Sequence, residues 1–229
     1  MAQQIRSHGL KREFKQDGSI VTNADREIEA FLTRKLTALL PGSAVWGEEF
    51  GLSGDPQNPM WVIDPVDGTS NFAYNSWLWG VSAALVDGRD ITVGAVSIPD
   101  QDEVFAGHKG GGVTRNGERL PNLPEGPILA HELVGYSDRV LRSEPERPLP
   151  GKMRHSGAFV VDGTSVACGR LRALIGCRER LYDIAACVLL GQELGGFVGN
   201  LDGTPLDIER LRVGEKLEDP WVIFPQGAL

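Results

Sequence analysis

Two long apolar runs stand side by side in the middle of the chain, and they constrain its fold more than any other feature. The runs cover Trp79–Val86 and Ile91–Ile98, and only the polar segment Asp87–Asp90 separates them. Apolar runs joined by a short segment that contains glycine are typical of paired antiparallel strands. Shorter runs continue as far as Leu120, and Asn116-Gly117 among them is a strong signal for a hairpin turn. The sequence therefore predicts an antiparallel sheet.

Helical patterns flank these strands. Apolar residues recur at helical spacing from Ile28 to Leu40, and Thr22 or Asn23 can cap the start of that helix. Two further helices are predicted at about Gly163–Arg170 and Asp183–Leu194. The other short strands are predicted at 20–21, 44–46, 61–63, 103–107, 112–115, 118–120, 129–136, 197–198 and 221–224. This mixture favours layered sheets flanked by helices, an α+β fold, over a doubly wound parallel sheet.

Composition and charge exclude several classes of function. With 23 basic and 31 acidic side chains among 229 residues, the formal net charge is −8. The chain therefore lacks the basic surface of a protein that binds nucleic acid polymers. No run approaches the roughly 20 apolar residues that cross a bilayer, and residues 1–22 are polar and predicted to be mostly irregular. Three cysteines without CxxC spacing argue against disulfides and zinc. We expect a cytoplasmic protein with no membrane partner.

One segment carries two aspartates at the end of a predicted strand. The apolar run 61–63 leads to Asp64, and Asp67 follows three residues later, so a tight turn can aim both carboxylates at one point. Gly68 allows the backbone to approach a ligand closely. If residues 68–70 open a helix, their N–H groups form an anion site. Such a segment can hold hard cations such as Mg²⁺ beside a phosphate; a plain structural turn is the alternative interpretation.

Other acidic positions are weaker signals when each is taken alone. Asp-Gly-Thr recurs at 162–164 and 202–204, where we interpret it as a turn. Glu48-Glu49 follows a short predicted strand, and a solvated charge pair is its simpler interpretation. Asp183 opens a predicted helix, where a capping role is simpler. Two residues separate the aspartates of the main segment, whereas an aspartyl-nucleophile phosphatase of the haloacid dehalogenase type has one residue there.

In chain order, these segments resemble the motifs of the inositol monophosphatase superfamily of Mg²⁺-dependent, lithium-sensitive phosphatases. The matching segments are Val21–Asp25, Gly47–Glu49, Asp64–Phe72 and Asp183–Ala186, with Gly195-Gly196 behind the last of them. The resemblance implies a layered αβαβα sandwich whose N-terminal helix is shortened or missing. It also implies a phosphomonoesterase that acts on a small sugar or polyol phosphate and works as a homodimer.

The resemblance further implies a metal site. In the family pattern, Glu48, Asp64 and the Val66 carbonyl would hold one Mg²⁺, and Asp64, Asp67 and Asp183 would hold a second. A third ion would bind beside Glu48, which gives two or three Mg²⁺ ions per subunit. Converging carboxylates repel one another in the absence of cations, so bound divalent ions agree with this assignment. Water activated by the ions would attack the phosphorus directly, without a covalent intermediate.

Catalytic and substrate-binding roles are implied by the same resemblance. Thr69, paired with Asp25 and assisted by Glu48, would position and deprotonate the attacking water. The backbone N–H groups of Gly68 and Thr69 would hold the phosphate. Lys15 resembles a basic residue that lies upstream of the Asp25 motif in the family. The residues implied on the substrate side are Gly68, Thr69, Ser165, Arg178 and Asp183.

The sequence leaves the substrate open. The segment Gly163–Ser165 resembles a family loop near the sugar hydroxyls, whereas Gly176 stands where typical inositol monophosphatases have a glutamate. The run Cys177–Ile184 is closer to the archaeal-type fructose-1,6-bisphosphatase/inositol monophosphatase branch, in which Arg178 or Arg180 would meet a second phosphate or a sugar hydroxyl. Fructose-1,6-bisphosphatase, histidinol-phosphatase and 3'(2'),5'-bisphosphate nucleotidase activities are therefore alternatives. An inactive relative that binds metal and phosphate is the non-enzyme alternative.

A change in composition indicates two lobes. Prolines and charged residues cluster at 121–156, which predicts a lobe boundary or a mobile loop. We expect an N-terminal α+β lobe, 1–125, that carries the metal motif. The C-terminal α/β lobe, 126–229, would supply the last metal aspartate and the substrate contacts. The four histidines lie outside every motif, and we interpret them as surface or structural residues.

Overall fold

The computed structural model describes residues 1–16, 18–142, 150–212 and 214–228. Its helices are α1 (Ala2–Gly9), α2 (Asn23–Leu39), α3 (Thr69–Ala73), α4 (Asp138–Arg142), α5 (Phe159–Ala167), α6 (Leu181–Glu193) and α7 (Ile208–Arg212). Its strands are β1 (Arg12–Phe14), β2 (Ile20–Thr22), β3 (Ala44–Gly47), β4 (Gly51–Ser53), β5 (Met60–Asp67), β6 (Gly80–Asp87), β7 (Asp90–Ile98), β8 (Glu103–His108), β9 (Gly112–Arg115), β10 (Glu118–Arg119), β11 (Leu133–Tyr136), β12 (Lys152–Arg154), β13 (Ala173–Gly176), β14 (Phe197–Asn200) and β15 (Trp221–Phe224). Among the described residues, no helix combines the length and the apolar character that crossing a bilayer requires.

Eight strands form the larger sheet, in the order β10-β9-β8-β7-β6-β5-β3-β4. Neighbouring strands are antiparallel except β3 and β5, which run parallel. The two long apolar runs are β6 and β7, and they pair over most of their length, with one shift of register between Leu85 and Val86. The antiparallel sheet predicted from these runs is therefore confirmed. β1 and β2 form a separate two-stranded hairpin.

The strand β5 lies inside this sheet and is buried on both faces. Met60 and Val62 belong to the main hydrophobic core, which includes the apolar residues of α6. Trp61 and Ile63 pack instead with Leu32 of α2. Alternate residues of a strand point to opposite faces of a sheet, so α2 covers one face and α6 the other. A strand covered on both sides needs an unbroken apolar run, which is what the sequence provides before Asp64.

The smaller sheet has five strands, in the order β12-β11-β13-β15-β14. α5 and α6 lie between the two sheets, and α1 and α2 cover the outer face of the larger one. On the outer face of the smaller sheet, Val140 of α4 packs with Ile175 and Val222. Helices and sheets thus alternate in five layers, and the predicted αβαβα sandwich is confirmed.

The N-terminal segment is more ordered than its polar sequence predicts. Instead of an irregular stretch, α1 and β1 form there, so the expectation of an irregular segment is wrong. Of the two alternatives for the first helix, shortened or missing, the structure shows a short helix. Its stability comes from contacts far along the chain. Arg6 forms an ion pair with Asp100 at 2.8 Å and stacks over the rings of Phe72 and Trp79. Periodicity within α1 carries no signal for such contacts.

The helix predicted at Gly163–Arg170 begins four residues earlier, so Gly163 lies inside α5 and not at its start. Glycine is required there because a Cβ on Gly163 would lie 2.5 Å from the Sγ of Cys187 on α6. The same correction applies to Gly163–Ser165, which is helix and not a loop. The close approach of α5 and α6 explains why a glycine stands at position 163, although the sequence around it predicts that a helix begins there.

The division into two lobes stays a prediction. The larger sheet ends in sequence at Arg119, and the smaller begins at Leu133. The helices α5 and α6 nevertheless pack against both sheets, and one hydrophobic core includes residues from both halves of the chain. Part of the predicted boundary at 121–156 lies outside the described residues.

Candidate active site

The strand β5 ends at the site, and a bulge sets the direction of its two aspartates. The pairing of β5 with β6 shifts register between Asp64 and Asp67. Asp64 is buried, and its Oδ1 accepts the N–H of Val66 at 3.1 Å, which fixes the turn of the bulge. Gly68 follows with a φ of 81°, and a Cβ there would lie 2.7 Å from the Cβ of Ala158. Only glycine combines this left-handed backbone with so little space.

Thr69 and Asp25 meet although 43 residues of chain lie between them. The Oγ1 of Thr69 lies 3.2 Å from Asp25 Oδ1 and 2.9 Å from the carbonyl oxygen of Val66. Asp25 is buried at the start of α2, where its Oδ2 accepts the N–H and the hydroxyl of Thr22 at 2.8 and 2.5 Å. This reciprocal capping box holds the Asp25 carboxylate in place beside Thr69.

Three further carboxylates are positioned by backbone N–H groups or by short strands. Asp67 Oδ2 accepts the N–H of Val160 at the start of α5, at 2.5 Å. Asp183 Oδ2 accepts the N–H of Arg180, so Asp183 does cap α6. Glu48 follows β3, which pairs with β5, and its N–H donates to a β5 carbonyl at 3.2 Å. The structure thus brings Glu48, Asp67 and Asp183 toward the end of the strand that carries Asp64.

The electrostatics show that these four acids face one another. Burial raises the pKa of Asp64 well above its usual range, and the charges of Glu48, Asp67 and Asp183 raise it further. Burial also raises the pKa of Asp67 to about 7, opposed by its hydrogen bond from a backbone N–H. For Asp183 the pKa is likewise raised well above the ordinary value, first by burial. Like charges gathered in a poorly solvated place favour the neutral form unless a cation is present.

A lysine stands at the outer side of this cluster. The Nζ of Lys15 lies 3.2 Å from Glu48 Oε1 and 2.7 Å from Glu49 Oε1. Burial raises the pKa of Glu48, and the attraction of Lys15 opposes that rise. The hairpin of β1 and β2 therefore brings a positive charge to the edge of the cluster. That single charge does not neutralise the remaining acids.

The donor set fits a hard divalent cation. Among the described residues, no group of three or more histidine, cysteine, aspartate or glutamate side chains is arranged as a ready-made metal site. The carboxylate oxygens of Asp64, Asp67 and Asp183 each accept a hydrogen bond from a backbone N–H group instead. All of the side-chain donors are nevertheless oxygens, and they lie close enough to raise one another's pKa. Oxygen-only sets with an excess of negative charge suit Mg²⁺.

A cavity of about 310 Å³ opens beside these acids. Asp67 and Asp183 line it, together with the segment Gly157–Phe159 that leads into α5. Arg178 also lines it, as predicted from the sequence, whereas the Arg180 guanidinium donates to the carbonyl of Gly214.

Ser165 has a different position from the one expected. It lies in the last turn of α5 and is not among the residues that line the cavity. Its carbonyl oxygen accepts the N–H groups of Arg170 and Leu171, which end the helix. The residues of this helix that line the cavity are in its N-terminal half, Phe159 and Asp162. The segment Gly163–Ser165 is helix and not the predicted loop, so the reason for expecting Ser165 to contact substrate does not hold.

Comparison with known families agrees with this geometry. The model of the inositol monophosphatase family matches residues 1–223. The chain belongs to the inositol monophosphatase family. It is 32% identical to an inositol monophosphatase of Dictyostelium discoideum, over 90% of this chain and 81% of the relative. It is 34% identical to an inositol-1-monophosphatase of Synechocystis, over 86% of this chain and 72% of the relative. Members of this family are metal-dependent phosphoric monoester hydrolases.

Solved structures share the fold. The suhB protein of Bartonella henselae superposes with a TM-score of 0.82 at 23% identity, covering 98% of this chain and 88% of that one. A staphylococcal inositol monophosphatase soaked with lithium chloride gives a TM-score of 0.82 at 21% identity, covering 99% of this chain and 84% of that one. An inositol monophosphatase/NADP phosphatase, solved with NADP and Ca²⁺, also superposes with a TM-score of 0.82 at 21% identity. The match covers 99% of this chain and 85% of that one.

Two residues that support the inositol monophosphatase site are not evident from the sequence alone. Glu29 is buried on α2, and its two carboxylate oxygens accept the N–H groups of Glu49 and Phe50 at 2.8 and 2.9 Å. Asn71 donates to the carbonyls of Leu78 and Ser156, so it ties α3 to the segment before α5. The one available signal is that Glu29, a charged residue, stands beside the apolar stripe of its helix.

The raised pKa values predict a pH dependence of stability in the metal-free protein. The folded state keeps a proton on Asp67 up to about pH 7, whereas the unfolded chain loses it near the ordinary aspartate pKa of 3.8. Because the folded state binds more protons, the free energy of unfolding falls as the pH rises through 7. We expect a loss of about 1 kcal/mol between pH 6 and pH 8 for this carboxyl, with more from Asp64 and Asp183.

Denaturant unfolding at pH 6, 7 and 8, with a chelator present, measures how steeply the free energy of unfolding falls with pH. The Asp67→Asn variant is the matched control, and its slope should be smaller because the titrating group is gone. Adding Mg²⁺ should flatten the slope, since a bound cation favours the charged carboxylates. A free energy of unfolding that is constant over this range in the chelated protein would contradict the clustering of these acids.

Proposed function

We propose that this chain hydrolyses the phosphate monoester of a small sugar or polyol, with Mg²⁺ held by Glu48, Asp64, Asp67, Asp183 and the Val66 carbonyl. One observation carries the proposal. Four acids from three separate segments of the chain gather at the end of β5, beside a cavity and beside a threonine that contacts a buried aspartate. Structural carboxylates are rarely gathered in this way, because burial without cations costs free energy.

Molecules bound to family members support a charged phosphate ester and a cation. An inositol monophosphatase/NADP phosphatase was solved with NADP and Ca²⁺, and a dual-specific one was solved with D-inositol-1-phosphate. The staphylococcal relative was solved as a lithium inhibitory complex. We propose that two or three Mg²⁺ ions bind to each subunit here and that lithium inhibits the enzyme. We further propose that it works as a homodimer in the cytoplasm.

The divalent ions would supply Lewis-acid activation of water and neutralise the charge of the phosphate. Thr69 has a hydroxyl with one proton, which it donates to Asp25 or to the Val66 carbonyl, and its lone pairs stay available to accept a proton from water. As Thr69 accepts the proton of the water molecule, its own proton passes to Asp25. The water oxygen then forms the new bond to phosphorus as the ester bond breaks.

The remaining residues hold the ester. The backbone N–H groups of Gly68 and Thr69, at the start of α3, would donate to the phosphate oxygens. The N–H of Val160 donates to Asp67, which links this part of the site to the start of α5. The alcohol part of the substrate would occupy the cavity along Gly157–Phe159. The leaving oxygen takes up a proton from solvent, because this cavity is open to water.

Phosphate release from a panel of esters tests the proposal. Purified protein is dialysed against a chelator and then assayed with inositol 1-phosphate, fructose 1,6-bisphosphate, histidinol phosphate and adenosine 3',5'-bisphosphate. We expect no release without metal, release of phosphate from at least one ester with Mg²⁺, and inhibition by lithium. Release from the last three esters, and not from the first, would favour an alternative activity of the same family. Release that persists in the chelator would contradict the metal assignment.

A further inference from the structure

Asp162 is a buried carboxylate that has no part in the proposed hydrolysis. It lies in the first turn of α5, only 6% of its surface is exposed, and it is one of the residues that line the cavity. Burial raises the pKa of Asp162 to about 6. The residues before it in this turn, Phe159–Val161, are apolar. Because a poorly solvated carboxylate costs free energy, its presence in an otherwise apolar turn requires an explanation.

The carboxylate of Asp162 turns back toward the residues that precede its own helix. Its Oδ2 accepts the N–H of Ser156 at 3.3 Å, and its backbone N–H donates to the carbonyl oxygen of Ala158, also at 3.3 Å. The hydroxyl of Ser156 in turn donates to the Ala158 carbonyl at 2.7 Å. We call Ser156–Ala158 the entry segment. Asp162 therefore holds both ends of the entry segment from the side of α5.

The entry segment is held from its other side by the residues around the start of α3. Asn71 donates from its Nδ2 to the carbonyl oxygen of Ser156 at 2.9 Å. Ala158 packs so closely against Gly68 that a Cβ on this glycine would lie 2.7 Å from the Ala158 Cβ. The N–H groups of Gly68 and Thr69 are the proposed phosphate donors. The position of the entry segment thus sets the distance between the bound phosphate and this side of the cavity.

The entry segment shapes the cavity with its backbone and not with long side chains. Gly157 and Ala158 line the cavity, and Ala158 contributes no more than a methyl group. A wall built from main chain keeps its shape while hydrogen bonds hold the main chain in place. Asn71 supplies the bond to the carbonyl of Ser156, and Asp162 supplies the bond to its N–H. In the described part of the chain, this N–H has no other acceptor.

We propose that Asp162 is a positioning residue, which fixes the entry segment as the wall against which the alcohol part of the ester binds. This inference rests on the proposed function, in which that part of the ester occupies the cavity. Asp162 acts through Ser156 as a hydrogen-bond acceptor, so an amide oxygen in the same place can replace the carboxylate. The wall contacts a part of the substrate that does not react. Such contacts stabilise the bound ester and the transition state equally, so their loss raises KM and leaves kcat unchanged.

Kinetics of Asp162 variants at saturating Mg²⁺ test the inference, with the ester of the panel that the wild type hydrolyses best. Asp162→Ala should raise KM about tenfold, the size expected for one lost hydrogen bond to a charged acceptor, and should leave kcat within about threefold. The inhibition constant for inorganic phosphate should stay within about twofold of the wild-type value, because phosphate has no alcohol part. Asp162→Asn should restore KM to within about threefold of wild type.

Thr164→Val is the matched control. Thr164 is also buried on α5, and its hydroxyl donates to the carbonyl oxygen of Val160 at 2.6 Å, but it does not line the cavity. The variant loses a buried hydrogen bond of the same helix and should keep the wild-type KM. If Asp162→Ala does not fold, Asp162→Leu, which fills the space but has no acceptor, takes its place.

Amide hydrogen exchange in the metal-free protein measures the hold on the entry segment independently of activity. The Ser156 amide should exchange about tenfold faster or more in Asp162→Ala, and within about threefold of the wild-type rate in Asp162→Asn and Thr164→Val. Equal exchange rates in the wild type and in Asp162→Ala would overturn the inference.

The kinetic outcomes separate this inference from the proposed function. An unchanged KM in Asp162→Ala, or parallel changes in KM, kcat and phosphate inhibition, would overturn the inference while the proposed hydrolysis stands. Asp162→Asn as impaired as Asp162→Ala would also overturn it, because the charge and not the hydrogen bond to Ser156 would then be responsible. If the wild type hydrolyses no ester, the proposed function fails, and calorimetric titration of the same esters with Mg²⁺ replaces KM. Weaker binding in Asp162→Ala that Asp162→Asn restores would then support the inference, and equal binding would exclude it.

Discussion

Replacing Asp67 by asparagine is expected to lower Mg²⁺-dependent phosphate release by about 10³-fold, at the upper end of losses from removing one electrostatic group at a reacting centre. Asparagine keeps the shape and can still accept the N–H of Val160 through its Oδ1. It removes a negative charge from a cluster in which the four carboxylates raise one another's pKa. The fold should stay intact, and the metal-free variant should unfold at an equal or higher temperature than the wild type.

Phosphate release, circular dichroism and calorimetric Mg²⁺ titration together measure this effect. The chain offers a matched control in Asp202→Asn, because Asp202 also begins an Asp-Gly-Thr segment but is exposed and only caps its own turn through Thr204. That variant should keep full turnover. Full turnover in Asp67→Asn would refute the role of Asp67 at the metal site. Equal losses in both variants would show that the tripeptide acts through the turn and not through the carboxylate.

The sequence predicts well those elements whose structure is decided by residues close together in the chain or by burial of a whole strand. The helix α2 is predicted by its apolar stripe and by Thr22, whose capping box with Asp25 lies within four residues. The strands β5, β6 and β7 are readable because burial demands unbroken or alternating apolar runs. In each case the residues that decide the structure are neighbours in the chain.

The elements that escape prediction depend on contacts from far along the chain. The helix α1 is polar, and Arg6 stabilises it through Asp100 and two aromatic rings. The glycine at 163 marks a close helix contact with Cys187 and not a boundary. His155 stands outside every motif, yet the fold places it at the cavity. No window of sequence contains the partner that explains these residues, so tertiary packing overrides the local pattern.

The residues of the candidate site also fall into two groups, those that the local sequence predicts and those that it does not. Spacing alone indicates Asp64 and Asp67, because both follow one strand. Asp25, Glu48 and Asp183 each have a simpler local role, and only the family resemblance places them at the same site. The structure shows that the local role and the site are compatible, since Asp183 caps α6 and still faces the other acids. A capping carboxylate uses one oxygen for the helix and keeps the other for a ligand.

Replacing Thr69 by alanine is expected to lower kcat by about 10²–10⁴-fold, the range for loss of a positioned acid–base group. The reason is the contact of Thr69 Oγ1 with Asp25 Oδ1 at 3.2 Å, which gives the proton of the attacking water a route to a buried carboxylate. The threonine side chain is not among the proposed metal ligands. The half-saturating Mg²⁺ concentration should therefore change by less than about threefold, and phosphate release against Mg²⁺ concentration measures both quantities.

Two companion variants separate the hydroxyl of Thr69 from its place in the fold. Thr69→Ser keeps the hydroxyl and should retain most of the turnover, although it loses the methyl group. Asp25→Asn removes the proton acceptor but keeps the hydrogen bonds to Thr22 possible, so it should reduce kcat as strongly as Thr69→Ala. The double variant should then be little slower than either single variant, because both changes interrupt one proton path and their effects are not additive. Additive losses would mean that Thr69 and Asp25 act separately, and normal turnover in Thr69→Ala would show that other groups position the water.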